Sequence, residues 1–187
     1  FSGMAELVAD LKANPGAAVV VAGEQTSAST QTLANAINDA IGAIGSTVVY
    51  TEPIEANPVG QTAGLKSLTD ALNGGSVKLL AIIGGNPAYD APADMNFPQA
   101  IRKAALSIRL GLYEDETSAN CQYHVPMAHP LEAWGDLAAF DGSVSIVQPL
   151  IAPLYNGKSA NEFVGEILGD IKSGYDHLRT YLSLIHI

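Results

Sequence analysis

The chain has 187 residues, 48% of them hydrophobic, which suits one compact domain or a piece of a larger protein with a sizeable core. Nine Lys and Arg against nineteen Asp and Glu give a net charge of −10, so there is no basic patch to neutralise a nucleic-acid backbone or an anionic lipid surface. The single cysteine, Cys121, excludes an internal disulfide and the multi-cysteine spacing of an iron–sulfur or structural zinc site.

In chain order, Phe1-Ser2-Gly3 is neither a Met start nor a signal peptide, so the chain is expected to be an internal fragment. Ala17 to Ala22 is a β-branched run closed by Gly23 and predicts a strand. Thr30 to Ile44 predicts a helix with Leu33, Ile37, Ile41 and Ile44 on one face. Thr47 to Tyr50 repeats the strand signal, Leu65 to Leu72 predicts a short helix ended by Asn73-Gly74-Gly75, and Val77 to Ile83 predicts the next strand. Phe97 to Ala105 reads as a helix and Leu106 to Leu110 as a strand, after which loops and short pieces run to Pro153. The capping box Ser159 to Glu162 predicts a final helix, Asn161 to Ile171. Leu182 to Ile187 reads as a non-native apolar tail, leaving residues 1–181 as the domain. Strands alternating with helices predict an α/β fold with a Rossmann-like parallel sheet and helices on both faces. No apolar run is long enough for a membrane helix, so no direct membrane insertion is expected.

In such a sheet, ligands meet the loops at the carboxyl ends of the strands. Two of these loops are candidates for cofactor binding. Gly84, Gly85, Asn86 and Pro87 follow one buried strand: the glycines permit a sharp turn and close backbone approach, and Pro87 stops the ladder. Asp115, Glu116, Thr117 and Ser118 follow the next, exposing hydroxyls and amides. On residue types alone both loops also read as ordinary strand-ending turns and caps.

Other chemistry is rejected. Gly157-Lys158-Ser159 lacks the glycine that a phosphate loop needs five residues earlier, where Ala152 stands. Gly23 is followed by Glu24-Gln25-Thr26, so the dinucleotide glycine fingerprint is absent. Cys121, His124 and His129 match no common zinc spacing, and Glu132, Asp136 and Asp141 read as solvated acids. No catalytic residue and no metal ligand is assigned.

Three stretches, "IIGGNPAYDAPAD", "LGLYEDETSANCQYHVPMAHPLEAWGD" and "DGSVSIVQPLIAPLYNGKSANEFVGEIL", follow a pattern in order over about half the chain. The pattern resembles the molybdopterin oxidoreductase family, in which a Gly-Asn-Pro loop follows one buried strand and an Asp-x-x-x-Glu-Thr-like loop the next. The wording is most similar to the branch that supplies the iron–sulfur subunit of alternative complex III, a bacterial quinol:cytochrome c or oxidase electron-transfer complex. That resemblance implies a scaffold domain with no cofactor in this fragment and iron–sulfur clusters elsewhere in the full-length subunit. It further implies the other subunits of a membrane-bound respiratory complex as partners, at the periplasmic face of the bacterial inner membrane. The alternatives are a catalytic molybdenum subunit of the polysulfide or thiosulfate reductase kind, whose molybdopterin guanine dinucleotide the two loops would contact, and a stand-alone nucleotide- or anion-binding module.

Overall fold

The computed structural model describes residues 2–55 and 57–185; residues 186 and 187 of the expected tail lie outside the described residues. The chain divides into two compact units, Phe1–Glu52 and Pro53–Ile187.

The first unit holds α1 (Met4–Ala13) and α2 (Ala28–Ala40). Ser27 caps α2 by accepting the Thr30 amide at 3.3 Å, so the helix starts two residues earlier than expected. It ends before Gly42, whose φ of 69° suits glycine. The buried face also differs from the expected one: Ala34, Asn38 and Ile41 are buried whereas Leu33 is exposed.

Neither strand expected in this unit forms. Residues 17–22 lack a ladder because the Val20 backbone is paired by a side chain: Asn38 Oδ1 accepts its N–H and Asn38 Nδ2 donates to its carbonyl, both at 2.8 Å. Thr47 Oγ1 likewise donates to the Ala18 carbonyl at 2.8 Å. Residues 47–50 contribute one isolated bridge, Ile44 to Val48.

The second unit carries a three-stranded parallel sheet, in which two strands are those expected and the third, residues 123–126, lies where loops and short pieces were expected. Helix α3 (Gln61–Asn73) leads to β1 (Leu79–Ile83), then α4 (Pro87–Asp90), α5 (Phe97–Ile101), β2 (Leu106–Gly111) and β3 (Tyr123–Pro126). The order is β1-β2-β3, with Ile82 opposite Arg109 and Arg109 opposite His124. Helix α5 stops at Ile101, short of the expected Ala105, because the chain has already joined the sheet: the Ala105 amide bonds Val77 O and the Leu106 amide bonds Lys78 O. The core is Leu72 of α3, Leu80 of β1, Phe97, Ala100 and Ile101 of α5, and Ala104.

Beyond Pro126 the structure has more order than the sequence suggested. An antiparallel hairpin, β4 (Gly135–Ala138) and β5 (Val144–Val147), turns at Asp141-Gly142, where Asp141 accepts the Ser143 amide at 2.9 Å and Gly142 has φ 84°. Helix α6 (Ala160–Leu168) has the expected capping box and stops at Gly169, in the left-handed conformation, before the predicted Ile171. A further helix, α7 (Gly174–Ile185), follows, and residues 182–185 continue it. The α6 and α7 starts share one carboxylate. Glu162 accepts the Ser159 amide and hydroxyl at 2.9 Å each and the Gly174 amide at 3.1 Å.

Candidate functional site

The two loops flagged in the sequence meet at the carboxyl ends of β1 and β2. Gly84 and Gly85 have φ of 60° and 63°, left-handed values that a side chain would strain, and they turn the chain from β1 into α4. Asn86 then reaches the second loop. Its Oδ1 accepts from the Thr117 hydroxyl at 2.6 Å and the Thr117 amide at 3.2 Å, while its Nδ2 donates to Glu116 Oε2 at 2.7 Å. Thr117 is fully buried and its Oγ1 also accepts the Ala88 amide at 3.0 Å, tying the second loop to the start of α4. Pro87 is the first residue of that helix, where its missing N–H costs nothing.

Beneath both loops lies a residue that belongs to neither of them. Arg109 projects from the middle of β2 and is 3% exposed. Its guanidinium donates from Nη1 to Gly84 O at 2.6 Å and Leu110 O at 3.0 Å, and from Nη2 to Gly85 O and to Asp115 Oδ2 at 2.7 Å. Space for it comes from Gly111: a Cβ there would lie 3.0 Å from both Cζ and Nη2 of Arg109. Period-two alternation puts Ser107, Arg109 and Gly111 on one face, and two small residues flanking a long cation was the readable signal.

Asp115 completes the lock. Its Oδ1 accepts the Ser118 amide at 2.9 Å and the Ser118 hydroxyl at 3.1 Å, and Ser118 Oγ also lies 2.8 Å from His124 Nδ1 on β3. Burial pushes the Asp115 carboxyl up, but the Arg109 hydrogen bond, the Ser118 amide and the Arg109 charge outweigh it and hold the group at about 2. Glu116 is lowered chiefly by its hydrogen bond from Asn86. Because the Asp115 value is depressed, its stabilisation is present above the unfolded-state value of about 3.9 and is lost as pH falls through about 2. Discounted for partial solvent screening, this amounts to about 1–2 kcal/mol. Urea unfolding is expected to show wild type more stable than Asp115→Asn near neutrality, with that gap closing between about pH 5 and 2. A gap constant across that range would remove Asp115 from the pH dependence.

The arrangement does not fit the pyrophosphate of a pterin dinucleotide. A pyrophosphate needs cationic groups or convergent free amides. Here the buried cation is already bonded to two loop carbonyls and a carboxylate, the Thr117 and Ser118 amides are taken within the loops, and Glu114, Asp115 and Glu116 surround them with negative charge. Arg102 and Lys103 are committed to Asn120 and Asn73. A shallow cleft of about 290 Å³ beside Gly85, Asn86 and Pro87 is lined on its other side by Gln61, Thr62 and Leu65 of α3 and carries one charged residue, the acidic Asp90.

The remaining sequence candidates disperse. Cys121 is partly buried against the core, which pushes its thiol up despite a hydrogen bond with Ser107. His129 Nδ1 accepts the Leu131 amide, Glu132 accepts the His129 and Leu154 amides, and Lys158 pairs with Glu166 at 2.7 Å. Among the described residues no three His, Cys, Asp or Glu side chains are grouped to hold a metal ion, and no helix is long and apolar enough to cross a membrane. In comparison with known proteins, the chain matches no family model and no curated protein matches it significantly.

Proposed function

We propose that this chain is a scaffold domain of the molybdopterin oxidoreductase type, belonging to the iron–sulfur subunit of a membrane-bound quinol:cytochrome c or oxidase complex of the alternative complex III kind. In this reading the sheet is the Rossmann-like core of that domain, with helices on both faces. The clusters sit elsewhere in the full-length subunit, and the other subunits dock on it at the periplasmic face of the membrane. The observation that carries the scaffold part is the lock between the two loops. Asn86, Thr117 and Asp115, which lie in the loops that would meet a cofactor's nucleotide arm, are bonded to one another's loop or to Arg109 instead. Donors committed this way position loops; they do not wait for a ligand.

The test is metal, iron and pterin analysis of the intact subunit purified within its complex. Iron without stoichiometric molybdenum or pterin is the expected result, and Thr117→Ala should lower assembly of the complex without changing the turnover of what assembles. Stoichiometric molybdenum, with substrate reduction lost on Thr117→Ala, would transfer the chain to the catalytic polysulfide or thiosulfate reductase reading and its molybdopterin guanine dinucleotide.

A further inference from the structure

We propose that the crevice contains a built carboxylate-binding site whose occupant is the chain's own Asp115. The donors are those of an oxyanion receptor. One carboxylate oxygen takes Arg109 Nη2 at 2.7 Å, and the other takes the Ser118 amide at 2.9 Å and the Ser118 hydroxyl at 3.1 Å. A guanidinium, a backbone amide and a serine hydroxyl converging on one carboxylate is how a protein recognises a ligand carboxyl group. The receptor is held independently of its occupant. Arg109 is pinned by the carbonyls of Gly84, Gly85 and Leu110 and by the close approach of Gly111, and Ser118 Oγ is braced by His124 Nδ1. The Asp115 side chain retains 19% of its exposure, so the occupied position is reachable from solvent.

A carboxylate from outside can therefore reach Arg109 only in exchange for Asp115, and shortening that side chain opens the site. The inference stands on this geometry and does not rest on the function proposed above.

The experiment is chemical rescue with sodium formate. In Asp115→Ala, formate should raise the thermal midpoint by about 3 °C or more over sodium chloride at matched ionic strength, as a site filled well above its dissociation constant does. Wild type, whose site is filled, should show no such difference, and neither should the Arg109→Met, Asp115→Ala double variant. An equal response in wild type and Asp115→Ala overturns the proposal. Should Asp115→Ala be too unstable to purify in chloride, recovery of folded protein from refolding in formate becomes the readout. Failure to refold in either salt counts against a preformed receptor.

Discussion

Arg109→Met is expected to destabilise the second unit by about 3–5 kcal/mol, the range for removing one partner of a buried ion pair. Two contributions decide where in that range it falls. Asp115, still partly exposed, can turn toward water and recover much of its solvation, which limits the penalty on its side of the pair. The Gly84 and Gly85 carbonyls lose a charged donor, a bond type worth about 1.5–3 kcal/mol, while the left-handed turn that presents them keeps only the Gly84 amide bond to Leu110 O and the Asn86 side-chain bonds to the second loop. The carbonyl loss is therefore the larger share. Arg109→Lys should recover less than half of it, because one ammonium cannot span Nη1 and Nη2 positions that serve two loops at once. Urea unfolding of both variants, combined with Asp115→Asn in a double-mutant cycle, separates the carboxylate from the carbonyl share. A loss below about 1 kcal/mol for Arg109→Met would mean that the loops hold their positions without the guanidinium.

What sequence made legible follows from which interactions are local. The Gly84-Gly85 turn was readable because a positive φ at two successive residues is a backbone demand that only glycine meets cheaply. The pairing of the two loops was readable because consecutive strands in a parallel sheet place their carboxyl ends together. The role of Arg109 is not legible locally, because the residue sits in mid-strand, away from both loops in sequence, whereas a long side chain reaches several residues along the strand axis. Its contacts with Gly84 and Gly85 span 25 and 24 positions.

The same distinction explains the first unit. A valine run predicts a strand only when another strand is there to receive it, and Val20 is instead received by Asn38, 18 residues away, in a contact that no local pattern announces. Helix α7 was missed although its signal is local. Ser173 Oγ accepts the Asp176 amide at 3.1 Å and donates to Asp176 Oδ2 at 2.7 Å, a local Ser-x-x-Asp start. The hairpin turn at Asp141-Gly142 was likewise local and unread.

The second large effect is expected from Phe97→Ala, at about 3–5 kcal/mol. Phe97 is 1% exposed and opens α5, with Ala100 and Ile101 following on the same face at positions three and four. It packs with Leu72 of α3 and Leu80 of β1, so a single ring joins two helices to the strand that leads into Gly84. The neighbours cannot close easily over the lost volume. Phe97 enters the helix from Asn96, whose φ of 46° fixes the direction of approach, and Pro98 stiffens the next position. A largely uncollapsed cavity puts the cost in the upper part of the range. This loss differs in kind from that of the polar lock, although its size is similar. Removing apolar surface involves no titrating group, so the Phe97→Ala deficit should stay constant between about pH 5 and 2, where the Asp115→Asn deficit closes. It should also be indifferent to formate. A Phe97→Ala variant whose deficit shrinks in acid would show that the core and the loop lock unfold as one coupled element, with the ring acting on stability through the position of β1 under Arg109.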